Sequence, residues 1–188
     1  MLQAMGELEA ARPLCEEALA GCRATLGDTH PDTLMSINNM GALLQAMGEL
    51  EAARPLCEEA LAGSRATLGD THPSTLTSIN NMGDLLQDMG ELEAARPLYE
   101  EALAGKRATL GDTHPSTLGS IYNFADLLRN MGDLAGAVPL FREELDAMRD
   151  QHGPEHDETL YSARNLHGVM LELGDVSGAA GLVAEFGG

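Results

Sequence analysis

The chain has 188 residues, 44% of them apolar but only 3% aromatic, with a formal charge of −19 and an isoelectric point near 4.4. Such acidity argues against a nucleic-acid backbone or an anionic membrane surface as partner, and serves first to keep the surface soluble. Glu7 and Glu9 stand where a signal peptide needs a basic flank and an unbroken apolar run, and no stretch approaches membrane-spanning length.

Residues 69–110 repeat residues 27–68 without a gap, differing only at the pairs 32/74, 35/77, 42/84, 46/88, 57/99 and 64/106. A third copy occupies 111–152, and a shortened fourth runs from 153 to 188. Residues 1–26 match 43–68 except at Met1 and Cys22, so they read as a partial repeat. A fixed period of 42 residues marks a stacked repeat architecture, in which units pack on their neighbours rather than around one centre. The expectation is a single array over 1–188.

In chain order, residues 1–5 read as the tail of one helix and 7–26 as a second, with Gly6 between them. Residues 32–47 then form the first complete A helix, on which Leu34, Ile37, Met40, Leu44 and Met47 recur every three or four positions. Pro31 suits a first helical position, where its missing N–H costs nothing. Gly48 supplies the stop, and the same glycine returns as Gly90, Gly132 and Gly174. Helix B follows at 49–68, so short a link that A and B must pack antiparallel. Its Pro55 is expected to remove a backbone hydrogen bond and bend the helix, as are Pro13, Pro97 and Pro139.

Gly21, Gly63 and Gly105, replaced by Ala147 in the third copy, mark a close helix approach, as do Gly41, Gly83 and Ala125. A slot filled by Cys15, Cys57, Tyr99 and Phe141 reads as a packing position, not a nucleophile or metal ligand. No close cysteine pair appears, which points to a reducing setting, cytoplasmic or nuclear, with cytoplasmic favoured. The fourth pair is expected at 158–173 and 175–186, its last helix short and frayed before Gly187 and Gly188. Leu8, Leu14, Cys15, Ala18, Leu19 and Cys22 at one end, and Val176, Leu182, Val183 and Phe186 at the other, lack a polar capping unit. That suggests either a fragment of a longer array or self-association through uncapped ends.

Helix A of the second full copy carries Ile79, Met82, Gly83 and Leu86; Gly90 makes the turn; helix B carries Leu92, Ala95, Tyr99 and Ala102. This pattern resembles the tetratricopeptide repeat, with about one added turn per helix. It is more closely similar to the long repeats of kinesin light chains, whose asparagine-containing core is echoed here by Ile79-Asn80-Asn81-Met82-Gly83. The resemblance implies an all-α, right-handed superhelical α-solenoid of antiparallel helix pairs, with a concave, peptide-binding surface lined by A helices. Light chains hold acidic peptides through basic side chains, whereas the A helices here offer only Arg129 and Arg164. No sustained heptad segment appears either, so the resemblance supports a binding scaffold rather than a motor subunit.

The candidate groove begins with asparagines. Asn39, Asn81, Asn123 and Asn165 recur at one position of every A helix, preceded by Asn38, Asn80, Tyr122 and Arg164. An amide both donates and accepts, so a column of them suits the backbone of an extended peptide. The bland alternative is that one asparagine of each pair only fixes stacking. Gln45, Asp84, Gln87, Asp88, Asp126 and Arg129 lie further along the same inferred face.

His30, His72, His114 and His156 fall in successive linkers, too far apart to share a metal, and are expected to bond at helix starts. The Glu16–Glu17, Glu58–Glu59 and Glu100–Glu101 pairs read as a solvated face. No phosphate loop, serine elbow or zinc spacing appears, so neither enzyme nor cofactor is expected. A protein- or peptide-binding scaffold is favoured over a structural spacer or a piece of a larger repeat-containing sensor.

Overall fold

The computed structural model describes residues 2–186, with side chains from Glu7 onward; Met1, Gly187 and Gly188 lie outside the described residues. Nine helices and no strand occur among the described residues: α1 Leu2–Leu26, α2 Pro31–Ala46, α3 Leu50–Leu68, α4 Pro73–Asp88, α5 Leu92–Leu110, α6 Pro115–Asn130, α7 Leu134–His152, α8 Asp157–Leu173 and α9 Val176–Phe186. The expected A and B helices are therefore present within a residue or two. One boundary differs. Residues 2–6 are not a separate tail, because α1 runs through Gly6 without a break. Leu, Gln, Ala and Met favour helix, and one interior glycine costs only about 1 kcal/mol, too little to force a turn.

The contacts divide the chain into two compact units, one extending to Gly105 and the other beginning at Lys106, inside α5. In the first unit, Leu34, Ile37, Ala53, Cys57 and Ala60 form a buried seam of the α2–α3 hairpin, and Leu76, Ile79, Ala95, Tyr99 and Ala102 do the same for α4–α5. In the second, Phe141 lies in a core with Ala125, Ala137, Leu145, Leu166, Val169 and Met170.

The A–B turn has one geometry throughout. Gly48 has φ 78°, its N–H donates to the Gln45 carbonyl at 2.9 Å, and the Glu49 N–H donates to the Leu44 carbonyl at 2.8 Å. This left-handed cap satisfies carbonyls that the helix end would orphan. The linker glycine is a second special position, unforeseen in the sequence: Gly69 has φ 87° and ψ 164°, a region essentially reserved for glycine.

The small-residue slots have the expected cause except at Gly21, where a Cβ would meet nothing within 4 Å. A Cβ on Gly63 would lie 2.4 Å from Leu34 Cδ2, and one on Gly105 2.3 Å from Leu76 Cδ2. A Cβ on Gly41 would meet Cys57 Sγ at 3.0 Å, and one on Gly83 the Tyr99 ring at 3.2 Å. The aromatic or cysteine slot is buried at Cys57, Tyr99 and Phe141 but only half-buried at Cys15. Burial pushes the Cys57 thiol up to about 11, so it packs as an inert side chain. At the two extremities, Leu14 is 68% exposed and Val176 66%, while Leu182 is buried.

Candidate functional site

Within the first unit, α2 and α4 lie side by side, joined by Asn38 Nδ2 donating to Ser78 Oγ at 2.7 Å and Gln45 Nε2 donating to Asp88 Oδ2 at 2.6 Å. Consecutive residues on a helix point about 100° apart, and the asparagine pairs divide accordingly. Asn38 and Asn80 are buried, and Asn80 Nδ2 donates to Asp84 Oδ2 at 3.0 Å within its own helix. Asn39 is exposed and Asn81 half-buried. The first asparagine of each pair thus serves the fold, and the second remains at the surface. Asp84 also accepts from the Tyr99 hydroxyl across the hairpin, and Gln87 is half-buried.

The second unit places Tyr122, Asn123, Asp126 and Arg129 on α6 and Arg164 and Asn165 on α8. Tyr122 and Tyr161 hydroxyls meet at 3.0 Å, and burial, followed by that bond, holds the Tyr122 hydroxyl above its ordinary value. Arg129 Nε donates to Glu172 at 3.0 Å, which raises the arginine and lowers the glutamate. Asp126 accepts from Asn130 Nδ2 at 3.2 Å. Asn123 is half-buried, Arg164 is exposed, and Asn165 buries an Nδ2 with no partner.

The linker histidines act as expected. The Nδ1 atoms of His30, His72, His114 and His156 accept the N–H two residues on, at 3.2, 3.1, 3.1 and 3.3 Å. The glutamate pairs lie on a solvated face as expected, with only Glu59 half-buried. On that face Glu59 and Glu101 each take two bonds from an arginine of the preceding B helix, Arg23 at 2.7 Å and Arg65 at 2.6 and 2.7 Å. Arg107 binds Glu143 in the same way. Such exposed pairs contribute at most about 1 kcal/mol each, and they link successive B helices.

Sequence reasoning passed over a serine. Ser36, Ser78, Ser120 and Ser162 share one repeat position and face the preceding B helix, near Cys22 Sγ at 3.5 Å, Ser64 Oγ at 3.4 Å, Lys106 Nζ at 2.7 Å and Glu144 Oε1 at 2.8 Å respectively. The signal was its strict 42-residue recurrence. Glu144 takes the place of Ala18, Ala60 and Ala102. It is 4% exposed, with Oε2 unpartnered, beside a 480 Å³ cleft also lined by Met148, Tyr161 and Arg164.

Burial is the main cause raising the Glu144 carboxyl, against the lowering effect of Ser162. Ser162 Oγ also lies 3.0 Å from the Glu158 carbonyl. One hydroxyl proton cannot serve both acceptors, whereas a protonated Glu144 can donate to Ser162. The folded state therefore binds this proton more tightly than the unfolded chain. Stability falls as pH rises from the ordinary carboxylate range through the raised value, and stays lower above it. Glu144→Gln should accordingly stabilise the protein at pH 7 and lose that advantage in acid. Urea midpoints at both pH values check this; a constant difference would place the carboxyl's ionisation outside the folding balance.

The tetratricopeptide repeat family profile matches residues 1–53 and 32–108, and a second profile of the same description matches 117–158. The chain belongs to the tetratricopeptide repeat family. Among solved structures, the nearly identical TPR-like repeats of a Podosopora anserina protein assigned as a kinesin light chain superpose with a TM-score of 0.82 at 28% identity, covering 98% of this chain and 87% of that one. BtubC (BKLC) from P. vanneervenii gives 0.84 at 21% identity, over 97% and 72% of the two chains, which shows the fold alone. A search of curated proteins finds no match. The family is generally one of protein–protein interaction scaffolds, and no helix among the described residues is long and apolar enough to cross a membrane.

Proposed function

We propose that this tetratricopeptide repeat chain is a non-enzymatic scaffold that holds an extended protein segment along the exposed faces of its A helices, in a cytoplasmic setting. The observation that carries the reading is the division within each asparagine pair. Asn38 and Asn80 are consumed by the fold, while Asn39 and Asn81 keep amides at the surface of adjacent A helices. Helix interiors disfavour asparagine, so Asn39 and Asn81, which keep amides at the surface, call for a use outside the fold. Amide pairs reading a peptide backbone need no particular side-chain sequence. Gln45 is engaged with Asp88, and Arg129 separately with Glu172, so they shape the wall more than they offer free charge. Exposed Leu14, Val176 and Val183 suit self-association through the first and last hairpins.

The test is selection of binding peptides from a random display library on the whole chain, then titration against the Asn39→Ala/Asn81→Ala double variant. Affinity should fall at least tenfold at unchanged thermal stability, with weak salt dependence because amides dominate. A variant that loses stability yet keeps its peptides would make these asparagines structural.

A further inference from the structure

The joint between α7 and α8 departs from the other linkers in a concerted way. His152 stands where Leu26, Leu68 and Leu110 stand in the other copies, and Glu158 where Asp32, Ser74 and Ser116 stand. His156 is the repeated cap histidine. The first linker also offers a carboxylate beside its histidine, His30 Nδ1 lying 3.8 Å from Asp32 Oδ2, but it has no second imidazole. Only the fourth linker combines two imidazoles with a carboxylate.

The structure draws these three side chains together. The His152 and His156 rings stack with centroids 4.7 Å apart and planes inclined by 23°. His152 Nε2 lies 3.3 Å from Glu158 Oε2, and one ligand atom from each of the three residues falls within 4.8 Å of the others. All three are exposed, so solvent can complete a coordination sphere. We propose that His152, His156 and Glu158 form a binding site for a divalent transition-metal ion of the zinc or nickel type, clasping the end of α7 to the start of α8.

Two nitrogens and one carboxylate oxygen suit such borderline cations, whereas magnesium and calcium prefer all-oxygen sets. Metal–ligand distances of about 2.0–2.2 Å require the three atoms to close by roughly 1 Å, which exposed side chains can do by rotation. The His156 Nδ1 lone pair accepts the Glu158 N–H at 3.3 Å, so its neutral ring carries the proton on Nε2. Ligation through Nε2 moves that proton to Nδ1, and ligation through Nδ1 uses the lone pair itself. Either way, the cap bond is exchanged for the metal bond. The spacing straddles a helix break, which is why a search for recurring or helical ligand patterns passes over it.

The experiment is calorimetric titration of the whole chain with ZnCl2 and with NiCl2, with MgCl2 and CaCl2 as oxygen-preferring controls. One equivalent of zinc or nickel should bind. His152→Leu and Glu158→Ser, which restore residues found in other linkers, should each weaken binding at least tenfold with the helical circular dichroism unchanged. In the unsubstituted chain, the Glu158 amide resonance should shift on zinc addition while that of Ser116, in the corresponding third linker, stays in place. Absence of one-equivalent binding, affinity unchanged in both variants, or equal binding of magnesium would each overturn the site.

Discussion

Phe141→Ala should destabilise the second unit by about 3–5 kcal/mol, the range for a buried aromatic truncated in a tight core. The ring is 1% exposed and meets Tyr122 edge-on, with centroids 5.8 Å apart and planes at 70°. It belongs to a buried core drawn from α6, α7, α8 and α9, so its removal opens a gap in a shared core. Lost transfer energy and a residual cavity add, because small neighbours such as Ala125 and Ala137 cannot reach into the gap. Phe141→Cys, borrowing the residue at Cys57, should cost less because the sulfur fills part of the space. Urea denaturation followed by circular dichroism measures both. A loss under about 1 kcal/mol for the alanine variant would show that the core collapses onto the slot and that the packing is looser than the buried fractions imply.

Gly90→Val should cost at least about 1–2 kcal/mol through the backbone alone. Gly90 has φ 78°, and its conformation sets up the bonds from its own N–H to the Gln87 carbonyl and from the Glu91 N–H to the Leu86 carbonyl. A β-branched side chain resists that conformation more than alanine does. The control is Gly119→Ala in α6, where a Cβ would meet nothing within 4 Å. There helix propensity should add up to about 1 kcal/mol of stability. Thermal melts of the two variants should shift in opposite directions. A common direction would mean that turn geometry is not what glycine is needed for at Gly90.

The period, the proline starts and the glycine stops were legible because each acts locally. Gly48 ends a helix by its own φ, and Pro31 begins one by its own ring, so no knowledge of neighbours was required. The cysteine–tyrosine–phenylalanine slot was legible because the copies vary there within one physical class. Asn38 and Asn39 were harder. They carry the same side chain, and which of them turns inward depends on how α2 meets α4. Glu144 carries no mark of burial in the sequence, since only packing against α8 reveals it. The break expected at Gly6 failed because a single interior glycine among good helix formers costs too little to end a helix.

The recurring serine bears on how such a chain can grow. Ser36, Ser78 and Ser162 lie 3.0, 3.1 and 3.0 Å from the carbonyl four residues back, which leaves the hydroxyl oxygen able to accept from whatever the previous helix brings. Across the copies that visitor is a thiol, a hydroxyl with a neighbouring amide, an ammonium or a carboxyl. A socket that takes all of these makes the junctions interchangeable. Unequal recombination between near-identical segments could therefore insert or delete a whole 42-residue copy while the serine keeps a partner at the new seam. Array length would then be free to drift under selection, while the chemistry of each seam diversifies afterwards.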